Sequence, residues 1–178
     1  QTSAANIAVT ATQGNVTTGR KATLVTPGTL AITANSNAAQ TLVNDAGQLN
    51  AGQLQINASN LANTNQGEIV QTGSGATTIA VASSLNNDGP RIASNGQDLS
   101  LSGTTITNNA GKIEHAGTGT LKISGGSYNG ANGQITTNNA LVIAMSGAFN
   151  QDGDKAQASA KQITVDAGSL SSRGGKII

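Results

Sequence analysis

Residues 47–63 read Gly47-Gln-Leu-Asn-Ala-Gly-Gln-Leu-Gln-Ile-Asn-Ala-Ser-Asn-Leu-Ala-Asn63, and residues 111–125 return to the same phrase as Gly111-Lys-Ile-Glu-His-Ala-Gly-Thr-Gly-Thr-Leu-Lys-Ile-Ser-Gly125. In the first stretch one apolar residue follows the glycine (Leu49), an alternating pair comes next (Leu54 and Ile56), and a single residue closes the unit (Leu61). Alternation at period two marks a half-buried strand, and nowhere is an apolar period of 3.6 sustained long enough for a helix. Glycines opening comparable phrases stand at Gly47, Gly67, Gly89, Gly111, Gly133, Gly153 and Gly175, at intervals of 20 or 22 residues. A fixed period of that length indicates a solenoid in which each turn is one structural unit. Three short strands per turn describe an all-β, parallel β-helix, with about eight turns of 20–22 residues in a chain of 178. The coil is expected to be right-handed, because parallel crossovers overwhelmingly are.

Working outward, the second-strand pairs are Ile79/Val81, Leu99/Leu101, Leu121/Ile123, Leu141/Ile143 and Ile163/Val165. The third-strand residues are Leu85, Ile106, Tyr128, Phe149 and Leu170. With Leu54 and Ile56, these pairs and the two aromatic residues form the expected core. Tyr128 and Phe149 fall in adjacent turns of one column and are expected to stack. Asn44, Asn63, Asn86, Asn108, Asn129 and Asn150 recur just after the third strand and are expected to form an amide ladder at one corner.

Residues 47–178 form the regular part, and residues 1–46 are less regular. There Ile7/Val9, Val16, Leu24, Leu30/Ile32 and Leu42 keep the pattern, but about five extra residues separate Ile32 from Leu42. They are read as a loop at 34–41 that leaves the coil, with Asn35, Ser36, Asn37 and Gln40 as candidate contact residues. The unit at Gly153 is also irregular: Lys155-Ala156-Gln157-Ala158 replaces the usual Ile, so its first strand should be the weakest rung. The incomplete unit Gly175-Lys176-Ile177-Ile178 is read as a sign that residues 1–178 are a single segment of a longer filament.

Composition narrows the function. Val, Ile, Leu and Phe supply only 35 of the 178 residues, which borders on disorder, but the net charge of +1 lacks the repulsion that usually accompanies it. Seventeen charged residues without a basic run argue against nucleic acid. The absence of cysteine excludes disulfides, zinc-thiolate sites and thiol catalysis. No apolar stretch approaches a membrane span, so membrane insertion is not expected. His115, the sole histidine, lies two residues beyond a repeat Ile and is read as a solvated or corner side chain. Asp152-Gly153-Asp154 is read as turn chemistry before a cation site. Polysaccharide-cleaving β-helices use clustered carboxylates, whereas here Asp45 and Glu68 are the nearest candidates and lie at neighbouring corners. No catalytic, cofactor-binding or metal-binding residue is assigned.

The repeats at Gly47 and Gly111 resemble the filamentous haemagglutinin repeat, over roughly residues 20–178. That resemblance implies the shaft of a two-partner-secretion exoprotein, either a filamentous adhesin or a contact-dependent growth-inhibition toxin of Gram-negative bacteria. It further implies export through an outer-membrane partner and display on the cell surface. The Asn-Pro-Asn-type signature of the family's secretion domain does not occur here (the two prolines are Pro27 and Pro90), nor does a toxin domain or its junction motif. The resemblance therefore points to a passive shaft holding a distal domain toward a target cell. The alternative is a portion whose own surface binds a receptor or glycan, at residues 34–41, 86–98 or 151–162.

Overall fold

A computed structural model describes residues 2–3 and 5–178. Among these residues there are nineteen strands and no helix, and every strand pairing is parallel. Each strand pairs with its equivalents one turn before and one turn after, so a single sheet winds into a β-solenoid of about eight turns. Backbone hydrogen bonds therefore run along the axis at roughly 4.8 Å per turn, and the side chains alternate between the interior and solvent.

The wall has three faces. The first carries short strands such as Glu68–Gln71, Arg91–Ser94, Lys112–His115 and Gln134–Thr137. Early in the chain, long strands run without interruption from the first face onto the second, as in Thr23–Ala34 and Gln48–Ala58. Later the continuous corner moves to the second and third faces, in Leu99–Thr107, Thr120–Asn129, Ala140–Asn150 and Gln162–Ser171. These bends pass through register shifts, for example between Gly125 and Tyr128 and between Met145 and Ala148. Glycine is required where turns approach most closely: a Cβ on Gly125 would lie 1.7 Å from the carbonyl oxygen of Gly103.

The interior is a set of stacked aliphatic columns. Leu54, Ile56, Ile79, Val81, Leu99, Leu101, Leu121, Ile123, Leu141 and Ile143 are buried, and the pairs stack in register from turn to turn except Ile79/Val81, which is displaced by two residues. Ile79 stacks between Ile56 and Leu101, Thr77 is in register with Leu99, and Val81 stacks on Ala58. Leu61, Leu85, Ile106, Tyr128 and Phe149 stack in the third column. The Tyr128 and Phe149 rings are stacked, with centroids 5.0 Å apart and planes inclined by 26°. Ile7, Val9 and Val16 pair with Leu30, Ile32 and Leu42, so the irregular N-terminal part shares the same columns. Ile163 and Val165 differ from the core expectation. They stack on Leu141 and Ile143 on one side only and are half-buried, and Leu170 is exposed.

The glycine register also differs from the 20–22-residue spacing. The carbonyls of Ala22, Gly47, Gly67, Pro90, Gly111, Gly133 and Ala156 each accept from the amide just beyond the next member of one corner column. Gly89 and Gly153 therefore lie just outside that column, and Pro90 and Ala156 occupy it. The two glycines instead supply positive φ angles of 92° and 104° to sharpen the corner. At that bend Lys21, Ala46, Ala110 and Asn132 adopt the same left-handed conformation without being glycine.

Candidate functional site

The corner between the third and first faces holds a buried polar spine. Thr18 Oγ1 donates to Asn44 Oδ1 at 2.6 Å, Asn44 Nδ2 to Asn63 Oδ1 at 2.8 Å, and Asn63 Nδ2 to Asn87 Oδ1 at 2.8 Å. Asn87 Nδ2 then donates to Asn108 Oδ1 at 2.7 Å, and Asn108 Nδ2 to the Tyr128 hydroxyl at 3.1 Å. Each of these four amides also donates to backbone carbonyls of its own corner and of the next turn, as Asn63 does to Gly67 and Arg91. The ladder expected from the sequence exists, but three of the expected members lie outside it. Asn86 and Asn150 are half-buried and Asn129 is exposed, because each directly follows its inward residue and so points outward. The buried position is the one after, at Asn87, Gly130 and Gln151.

At Gly130 the missing side chain is replaced by the Tyr128 hydroxyl, which would lie 2.5 Å from a Cβ at that glycine. Burial pushes the Tyr128 hydroxyl pKa up, so it acts as a neutral hydrogen-bonding group. Gln151 continues the column, with Nε2 donating to the Gly133 carbonyl at 2.7 Å.

A second buried polar column seals the corner between the first and second faces. Gln71 Oε1 accepts from the Leu54 amide at 2.7 Å, and Thr77 and Ser94 share a hydroxyl hydrogen bond. His115 belongs to this column and is 2% exposed, which corrects the solvated reading. Its Nε2 lies 2.9 Å from the Gly96 carbonyl and 3.1 Å from that of Gln97, and its Nδ1 lies 2.9 Å from Thr137 Oγ1. Two carbonyls can only accept, so Nε2 carries the proton and the imidazole bridges three turns as a structural plug.

The loop candidates divide. Asn35, Ser36 and Asn37 are exposed. Gln40 is 1% exposed, which corrects its place among the contact residues. Its Nε2 donates to the carbonyls of Ala11 and Gly14, and its Oε1 accepts from the Ser36 amide. The Asn37 side chain reaches the Gln13 carbonyl, so the loop is laced to the preceding turn.

The charged candidates are similarly occupied. Asp45 accepts from Asn65 and Thr64, while Glu68 stands on the first face in register with Gln48 and Arg91. Arg91 Nε lies 2.6 Å from Glu114 Oε2 in a surface pair, of a kind that contributes about 1 kcal/mol or less. Asp152 performs turn chemistry: the Ser171 hydroxyl and the Arg173 amide each donate to it at 2.7 Å and hold its carboxyl below the usual range. Among the described residues no three His, Asp or Glu side chains gather to hold a metal ion, and no helix is long and apolar enough to cross a membrane.

The haemagglutinin repeat profile matches residues 2–74, 51–125 and 116–178. A protein named "Toxin CdiA" from Yersinia pestis is 55% identical over 69 residues, or 39% of this chain. "tRNA nuclease CdiA-2" from Burkholderia pseudomallei (strain 1026b) is 39% identical over 79 residues, or 42% of this chain. The chain spans 2% of the length of each of these relatives. No solved structure matches it.

Proposed function

The chain belongs to the haemagglutinin repeat family, and on that premise we propose that it is a shaft segment of a secreted, cell-surface exoprotein, extending a distal domain toward a target cell. One observation carries this reading: the polar side chains that the coil draws into its wall and corners are consumed in holding one turn to the next. His115, the ladder asparagines, Gln40 and Asp152 all bond across turns. Export through an outer-membrane transporter partner belongs to the same proposal, as does surface display. So does the absence of catalysis by this segment, whatever activity the relatives' names record for those proteins. Residues 68–133 span three turns in register, since Glu68, Arg91, Lys112 and Gln134 are stacked equivalents. Excising them from the full-length exoprotein should shorten the filament by about 14 Å and leave target-cell activity intact. A normally displayed filament that no longer acts on its target would overturn the shaft reading.

The exposed Asn35, Ser36 and Asn37 favour a second reading, in which the segment itself touches a receptor or glycan. Loss of target-cell binding on deleting residues 35–39, with display unchanged, would support it.

A further inference from the structure

We infer that residues 151–161 form a strap that opens from the side of the solenoid while the turns around it stay stacked. The stretch 150–162, between Phe149 and Ile163, is the longest in the chain without Val, Ile, Leu, Met or an aromatic residue. In the first inward column Ala158 stands in register between Ile135 and Ile177, where other turns place Leu49, Ile69, Ile92 and Ile113. A methyl group there replaces a branched aliphatic side chain, so far less apolar surface is withdrawn from water.

Asp152 anchors the root of the strap to Ser171 and Arg173, but beyond it the strap is thinly tied. Its strand, Gln157–Ser159, makes three register pairs with the turn before, whereas Arg91–Ser94 makes four. Gln151, at its root, has a buried Oε1 with no hydrogen-bond partner, an unfavourable end to the amide ladder. The next strand is held independently of the strap: Gln162–Ser171 makes nine register pairs with Ala140–Asn150 across the second and third faces. Opening therefore peels one side of one turn and leaves the other two faces paired, a local event of low stability within a stable rod.

The chain contains no cysteine, so single introduced thiols report cleanly. Ala158 and Ala51 are both buried alanines on first-face strands. Thiol labelling of Ala158→Cys and Ala51→Cys with an aromatic disulfide, under native conditions, should show Ala158→Cys reacting at least about tenfold faster. Hydrogen exchange separates the strap from simple fraying. Amides of Gln157 and Ala158 should exchange faster than those of Ile163 and Val165 on the next face of the same turn, and Ala158→Ile should slow them. Equal labelling of the two thiols, or exchange at Ile163 and Val165 as fast as in the strap, would overturn the inference. If Ala158→Ile fails to fold, the thiol and exchange comparisons still decide.

Discussion

Replacing Asn87 by alanine removes the middle rung of the buried ladder. Its Oδ1 accepts from Asn63 at 2.8 Å, and its Nδ2 donates to Asn108 at 2.7 Å and to the carbonyls of Pro90 and Lys112 at 3.3 and 3.2 Å. The two amide–amide bonds contribute about 1 kcal/mol each, and an Asn108 Oδ1 left buried without its donor costs about a further 1–3 kcal/mol. The expected loss is thus about 3–5 kcal/mol, which for a domain of this size lowers the melting midpoint by on the order of 10 °C. Asn86→Ala, one residue earlier, loses only an exposed bond from the Asp88 amide and should cost about 1 kcal/mol or less. Urea denaturation of both variants, followed by circular dichroism, makes the comparison. Equal losses in the two variants, or a loss below about 1 kcal/mol for Asn87→Ala, would refute the assignment of the ladder.

The left-handed corner residues make a prediction of opposite sign. Ala46→Gly and Ala110→Gly each relieve roughly 1–2 kcal/mol of backbone strain against about 0.5–1 kcal/mol of added chain entropy, so either should raise the urea midpoint. Gly130→Ala should destabilise by about 1–3 kcal/mol through collision with the Tyr128 hydroxyl, whereas the pair Tyr128→Leu with Gly130→Asn restores the Leu85/Asn87 arrangement and should recover most of that in a thermal melt. Ile123→Asp buries an unpaired carboxylate and should cost more than about 4 kcal/mol, whereas Lys122→Asp faces solvent and should stay within about 0.5 kcal/mol by the same denaturation assay. Asp152 has its folded pKa lowered, so its contribution is complete above the ordinary aspartate value and disappears as pH falls through the lower folded value. The protection of the Arg173 amide against hydrogen exchange, taken relative to its intrinsic rate at each pH, should therefore fall below about pH 4 in the native chain, and Asp152→Asn should remove that dependence.

The aliphatic columns were legible because alternation at period two assigns each Leu, Ile and Val to one side of the wall. The same rule, carried through to polar residues, locates the ladder. Its buried member lies two positions after the third-strand residue, as Asn87 does after Leu85 and Asn108 after Ile106. Asn86, Asn129 and Asn150 sit one position after and face outward. His115 obeys it too, two positions beyond the inward Ile113, and is buried for that reason. Gly89 and Gly153 misled because a glycine serves equally for tight packing and for a positive φ, and at these corners the two needs fall one residue apart at Gly89 and Pro90 and three apart at Gly153 and Ala156. Gln40 obeys the alternation as well, two positions before the inward Leu42, although its partners at Ala11 and Gly14 lie 26 or more residues away. The site residues were obscure for a related reason: polar side chains in a coil with a thin core are drawn into bonds between turns, and composition alone does not distinguish that use from recognition.

In the coil, equivalent residues climb one axis by a constant step. Ala31, Gln55, Thr78, Ser100, Lys122, Val142 and Thr164 occupy one column of the second face. Spin labels on cysteines introduced in pairs along this column give distances by pulsed electron resonance. From Ala31, the separation should be about 19 Å to Lys122, about 24 Å to Val142 and about 29 Å to Thr164, rising by about 4.8 Å per turn. Distances that fail to increase with turn number, or that spread broadly at every pair, would contradict the coil and the shaft built upon it.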